Sequence, residues 1–174
     1  KHNGKLILRN EETEAERATV ESIQGIIDGL NGLGIEWDEG PYFQTELSKE
    51  HMEAANRLLS EGKAYKCFCT KEELEARREA ALAAKKDIKY DGTCRNLSPE
   101  EIQAKVDAGM PFIIRFKTPH KEGNVAFEDK VLGNSGRAYN DIEDFTIVRS
   151  NGKPLYMLCN VVDDIRDRIS HVIR

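Results

Sequence analysis

Apolar residues recur at helical spacing twice in the first third of the chain. Val20, Ile23, Ile27, Leu30 and Leu33 share one face, and Gly34 stops that run. Ser48 opens a second run with Met52, Ala55, Leu58 and Leu59, closed by Gly62. Ahead of both, Leu6-Ile7-Leu8-Arg9 reads as a short buried strand, and Asn10-Glu11-Glu12-Thr13-Glu14 as a polar acidic turn. Trp37 to Tyr42 reads as a turn-rich connector, and Ala64 to Cys69 as a short strand. Thr70 and Glu73 form a capping box for a third helix running into Ala80–Ala84. Its body is charged on every face, so it projects into solvent. Ser98-Pro99-Glu100-Glu101 starts a fourth helix, with Ser as cap and Pro in the first turn, ending near Gly109.

After Pro111 the pattern becomes that of strands. Phe112–Lys117, Val125–Phe127, Phe145–Arg149 and Leu155–Val162 read this way, with Ile169–Arg174 as the last. Asn151-Gly152 has the chemistry of a tight hairpin. The pattern predicts an α+β fold whose terminal strands need a partner sheet.

Composition narrows the function. The 174 residues suffice for one compact domain or a domain with an attached subdomain. A formal net charge of -5 gives no bulk electrostatic footprint for nucleic acid, so any such contact comes from a local patch. No apolar run approaches the length that spans a bilayer, and no signal-peptide pattern is present. A cytoplasmic protein without a membrane partner is expected. The chain opens on Lys1 and closes inside what reads as a strand, so it is expected to be an excised piece.

The candidate chemistry is a cysteine arrangement. Cys67-Phe68-Cys69 is followed by Tyr90-Asp91-Gly92-Thr93-Cys94. Two thiolates on alternate residues can reach one ion if the chain turns there, and Cys94 closes the loop from the far side. Zinc takes four tetrahedral ligands and favours sulfur, so three cysteines leave one position, for which Tyr90 is the nearest candidate. The competing reading is three free thiols packed as small apolar side chains. A disulfide framework fits less well without secretory features.

Read together, these segments resemble glutamyl-tRNA synthetase, a class I aminoacyl-tRNA synthetase. The stretches that carry the resemblance are Arg9-Asn10-Glu11-Glu12-Thr13-Glu14, Trp37 to Gln44, Gly62 to Thr70, Tyr90 to Arg95, Phe145 to Tyr156, Val161 to Asp164 and Ser170 to Arg174. The family's two ATP signatures, a His-Ile-Gly-His-like sequence and a Lys-Met-Ser-Lys-Ser-like loop, are absent. The resemblance therefore implies the segment between them. Residues 1–40 would be part of a nucleotide-binding, Rossmann-like fold with a parallel sheet. Residues 41–154 would be an inserted mixed α/β domain that binds the tRNA acceptor stem, with a zinc knuckle at 64–95. Residues 155–174 would be return strands.

The resemblance also implies residue roles. Cys67, Cys69, Cys94 and Tyr90 would hold zinc. Glu11 would hold the substrate ammonium, and Tyr156 and Asn160 would line the glutamate pocket together with Arg9. Arg174 would pair with the side-chain carboxylate, for which a planar guanidinium is suited. The parent activity would be ATP- and Mg-dependent attachment of glutamate to its tRNA, with tRNA and glutamate as partners of a monomer. No residue serves as nucleophile or acid–base pair, consistent with chemistry by positioning. The chain departs from the family pattern at Asn10, Glu12, Glu14, Asn31-Gly32, Leu155, Met157 and Ile165-Arg166-Asp167-Arg168. Two alternatives remain open: a glutamyl-queuosine tRNA(Asp) synthetase-like paralogue, and a non-catalytic zinc domain that binds RNA or serves structure.

Overall fold

The computed structural model describes residues 3–11, 19–86 and 88–173. Glu12, Thr13, Glu14 and Arg174 lie outside them. Two compact units form, Lys1–Ala54 with Pro154–Arg174, and Ala55–Lys153.

In the first unit, β1 (Ile7–Asn10) pairs in parallel with β2 (Glu39–Phe43). Parallel neighbours need a crossover, and α1 (Val20–Gly32) supplies it. Thr19 caps α1, its hydroxyl accepting from the Ser22 N–H at 3.1 Å. Reading Trp37–Tyr42 as a connector is therefore corrected from Glu39 onward. Gly and Pro mask the strand, because both are depleted from sheets. Yet Gly40 is required: its φ is +104°, and a Cβ there would collide with the Leu8 carbonyl oxygen of β1.

A 3-10 turn, Gln44–Leu47, leads into α2 (Ser48–Ser60). Gly62, at φ +67°, ends that helix, and the Lys63 N–H returns to the Leu58 carbonyl at 2.8 Å. The strand expected over Leu155–Val162 is instead α5 (Tyr156–Arg166). Leu158, Cys159 and Asp163 face inward, while Met157, Val161 and Ile165 are exposed. With apolar residues on both faces and a Val-Val pair in the middle, the 3.6-residue period is hidden. Residues 169–173, also expected as strand, have no regular structure.

In the second unit, β3 (Ala64–Cys67), β4 (Ile113–Phe116) and β7 (Thr146–Val148) form an antiparallel sheet in the order β3-β4-β7. Tyr65, Cys67, Ile114, Ile147 and Val148 are buried there. Both predicted capping boxes are present. Thr70 caps α3 (Lys71–Ala83) and Ser98 caps α4 (Pro99–Asp107). A separate hairpin pairs β5 (Asn124–Asp129) with β6 (Gly133–Ala138), of which only the first strand is legible in the sequence. Gly-Asn-Ser-Gly carries no strand signal.

Among the described residues, no helix is long and apolar enough to cross a membrane.

Candidate functional site

Cys67 is the last residue of β3, in register with Ile113 of β4, so the sheet sets its position. Phe68 anchors the turn after it, its ring 5.7 Å from that of Phe112. Its N–H donates to Cys94 Sγ at 3.4 Å, bringing the far arm of the loop to the near one. That far arm is ordered locally. Asp91 Oδ1 accepts from the Thr93 N–H at 3.0 Å and the Thr93 hydroxyl at 2.6 Å. Glu143 Oε2 accepts the Tyr90 N–H at 2.7 Å.

The three sulfurs of Cys67, Cys69 and Cys94 lie within 4.8 Å of one another, with Cys69 and Cys94 3.6 Å apart. The Tyr90 hydroxyl oxygen is 3.3 Å from Cys67 Sγ and 3.8 Å from Cys69 Sγ, and it accepts the Cys94 N–H at 3.0 Å. All four cysteines are free thiols. A tetrahedron with metal–sulfur bonds of about 2.3 Å has edges of about 3.8 Å. The three sulfurs are thus close enough together to hold one metal ion, with the Tyr90 oxygen beside two of them.

The electrostatics of the cluster are uneven. Burial opposes ionisation of Cys67, but the Tyr90 hydroxyl and the Arg115 guanidinium outweigh it and hold this thiol below its ordinary value. Burial pushes Cys69 up to about 11, and the neighbouring Cys67 and Cys94 sulfurs add to it against the Tyr90 hydrogen bond. Burial also raises the Tyr90 phenol, reinforced by Cys67. A divalent cation reverses this preference, because thiolate and phenolate ligands become the favoured forms around it.

Two arginines approach the cluster. Arg77 of α3 places Nη1 3.7 Å from Cys69 Sγ and donates to Thr93 Oγ1 at 2.8 Å and Asp91 Oδ1 at 3.2 Å. Arg115 of β4 lies over the Tyr90 ring, 3.8 Å from its centre. A cleft of about 290 Å³, lined in part by Leu74, Arg77, Arg78, Tyr90, Arg115 and Glu143, opens beside them. Sequence reasoning missed Arg115. The one available signal was an arginine set in the apolar run Phe112–Phe116.

In the same unit, Asp144 accepts from Tyr65 Oη at 2.7 Å, from the Thr118 N–H at 2.8 Å and from the Arg95 guanidinium. Arg95 also donates to the Thr118 carbonyl at 2.9 Å.

In the first unit, Arg9 meets two of the other expected residues, Glu11 and Asn160, and also Asp164. Its Nη2 donates to Asn160 Oδ1 at 2.8 Å, Asp164 Oδ1 at 2.7 Å and Glu11 Oε1 at 3.3 Å. Tyr156 and Asn160 sit on the first turns of α5. Cys159, on the same helix, is remote from the other thiols in sequence and buried, and burial with the nearby Asp163 pushes it up to about 12. Beneath the Arg9 group, Asp163 accepts from Gln44 Nε2 at 2.8 Å and bonds His51 Nε2 at 2.8 Å, all three buried. Arg9 Nε is buried and has no hydrogen-bond partner.

Residues 1–174 match the family described as tRNA synthetases class I (E and Q), catalytic domain. A glutamate–tRNA ligase of Desulfotalea psychrophila is 62% identical over 173 residues, covering 99% of this chain and 35% of its own length. One from Legionella pneumophila is 49% identical over 173 residues, with the same coverage. The crystal structure of a glutamate tRNA ligase from Elizabethkingia meningosepticum, in complex with its amino acid, superimposes with a TM-score of 0.87 at 28% identity. It covers 98% of this chain and 37% of that one. The chain thus spans about a third of the length of these relatives.

Proposed function

Because this chain belongs to the class I tRNA synthetase (E and Q) catalytic-domain family, we propose that it is the acceptor-binding part of a cytoplasmic glutamate–tRNA ligase. The observation that carries this reading is 62% identity with a glutamate–tRNA ligase across nearly the whole chain. In this reading β1 and β2 belong to a nucleotide-binding, Rossmann-like sheet. A parallel pair is normally covered on both faces and embedded among further strands, which supports that assignment. Residues 41–154 are the inserted domain, and ATP and Mg act in the whole ligase.

The glutamate site is formed by Arg9, Glu11, Tyr156 and Asn160 together with Arg174. The buried Arg9 Nε supports this, because it is a donor left open to a substrate acceptor. The metal is zinc, held by Cys67, Cys69, Cys94 and Tyr90. The spacing of the four groups supports this set. Bound zinc would supply a tetrahedral tie between the two arms of the loop and contribute its binding energy to folding. Tyr90, whose oxygen already accepts the Cys94 N–H, is held ready for the fourth position.

The test is a chimaera in which this chain replaces the matching segment of the Desulfotalea psychrophila relative. It is expected to charge tRNA with glutamate, and Glu11→Ala in it should abolish charging without unfolding the protein. A folded chimaera that charges no glutamate would overturn the reading.

A further inference from the structure

Arg115 is a buried cation whose own surroundings do not neutralise it. It is 7% exposed on β4, between Ile114 and Phe116. Its Nη1 donates to the main-chain oxygen of Asp144 at 2.8 Å, and its Nε is buried with no hydrogen-bond partner. The nearby carboxylates are engaged elsewhere. That of Asp144 serves Tyr65, Arg95 and the Thr118 N–H, and that of Glu143 accepts the Tyr90 N–H. Among the described residues, Arg115 forms no ion pair within 4.0 Å. A buried charge is costly unless a counter-charge lies close.

The counter-charge that the geometry offers is the metal centre itself. Three thiolates and a phenolate around one dication leave the cluster with an excess of about two negative charges. The Arg115 guanidinium carbon lies over the Tyr90 ring, 3.8 Å from its centre, and the Tyr90 oxygen is 3.3 Å from Cys67 Sγ. The cation therefore touches Tyr90, the one oxygen ligand of the proposed set.

We propose that Arg115 is the positioning and charge-compensating residue of the metal centre, holding Tyr90 as fourth ligand and offsetting the anionic shell. The inference rests on the zinc reading above. Arg77 is the internal control. It too approaches a sulfur, but it is already paired with Asp91, and its side chain is 39% exposed, where solvent screens its charge.

Zinc affinity of the full chain is measured by competition with a chromogenic chelator at fixed pH and salt, with circular dichroism to check folding. The unaltered chain should bind one equivalent. Arg115→Gln should still bind one equivalent but about tenfold or more weakly, the usual scale for groups that support metal ligands. Arg115→Lys, which keeps the charge but not the guanidinium, should recover part of that loss. Arg77→Gln should change affinity by less than about threefold. With cobalt in place of zinc, the visible bands of Arg115→Gln should move toward those of Tyr90→Phe. The double variant should bind little more weakly than either single one, because both act through one ligand.

A residue that only supported the fold would shift the melting temperature and leave the cobalt bands in place. Unchanged affinity and bands in Arg115→Gln, or a Lys variant as weak as the Gln variant, would overturn the inference while leaving the zinc reading intact. If Arg115→Gln does not fold, the Lys variant decides: cobalt bands and affinity both equal to the unaltered chain overturn the role of the guanidinium over Tyr90. Absence of zinc from the unaltered chain would overturn the metal reading and this inference with it.

Discussion

At Asp144 one buried carboxylate serves three donors, from Tyr65, Thr118 and Arg95. Burial pushes this carboxyl up, but the Arg95 and Tyr65 hydrogen bonds and the Thr118 N–H more than offset it and hold it below the usual range. A folded-state value below the unfolded one gives stability that is present above the unfolded pKa of about 3.9 and is lost as pH falls through the folded value. Acid titration followed by circular dichroism should therefore show a loss of structure below about pH 4 that Asp144→Asn flattens. At neutral pH the same variant should cost about 3 kcal/mol, read from the denaturant midpoint, because Arg95 loses its charged partner. An unmoved midpoint would show that the network does not hold the second unit. At the cysteine cluster, Cys94→Ser should lose most of the proposed zinc equivalent by elemental analysis. Tyr90→Phe should retain zinc with about tenfold weaker binding. A full equivalent in Cys94→Ser would remove that cysteine from the ligand set.

At the scale of elements, the legible parts are those fixed by short-range chemistry. Thr70 with Glu73 and Ser98 with Glu101 place their helix starts correctly, since a capping box closes within four residues. The Asn151-Gly152 turn also forms, with the Gly152 N–H on the Arg149 carbonyl at 3.0 Å. Beyond that turn the chain forms α5 rather than a strand, because the exposed stripe Met157, Val161 and Ile165 obscures the inward face. Likewise β2 is hidden by Gly40 and Pro41, and only its neighbour β1 explains the glycine. Gly40→Ala should lower the stability of the first unit by about 2 kcal/mol or more, through the clash with Leu8 and the unfavourable φ. Thermal unfolding checks this, and a melting temperature equal to that of the unaltered chain would show that β1 and β2 can part there without cost.

For the whole molecule, charge sets the expectation for RNA. The net charge is -5, and between residues 71 and 95 seven basic side chains are interleaved with six acidic ones. Several of the basic groups are already paired, Arg77 with Asp91, Lys89 with Asp141 and Arg95 with Asp144. Few phosphates can then be neutralised. Each one adds about 0.7–0.9 to the slope of log affinity against log salt, so binding of glutamate tRNA by this chain should be weak with a shallow slope. A titration at two salt concentrations measures it, and tight, steeply salt-dependent binding would show a basic surface that the pairing above conceals.

By itself the sequence determined what depends on neighbours along the chain. The capping boxes, the helix stops and the Cys67–Cys69 and Tyr90–Cys94 spacings are of this kind, because their partners lie within a few residues. Only the tertiary structure decided what depends on distant partners. It brought Arg9 to Asn160 and Asp164, more than 150 residues away, and joined Gln44 and His51 on Asp163. It also buried Arg115 against Tyr90, a contact that no local pattern encodes. A side chain's charge can be read from its identity, but its cost and its use depend on which groups the fold packs around it.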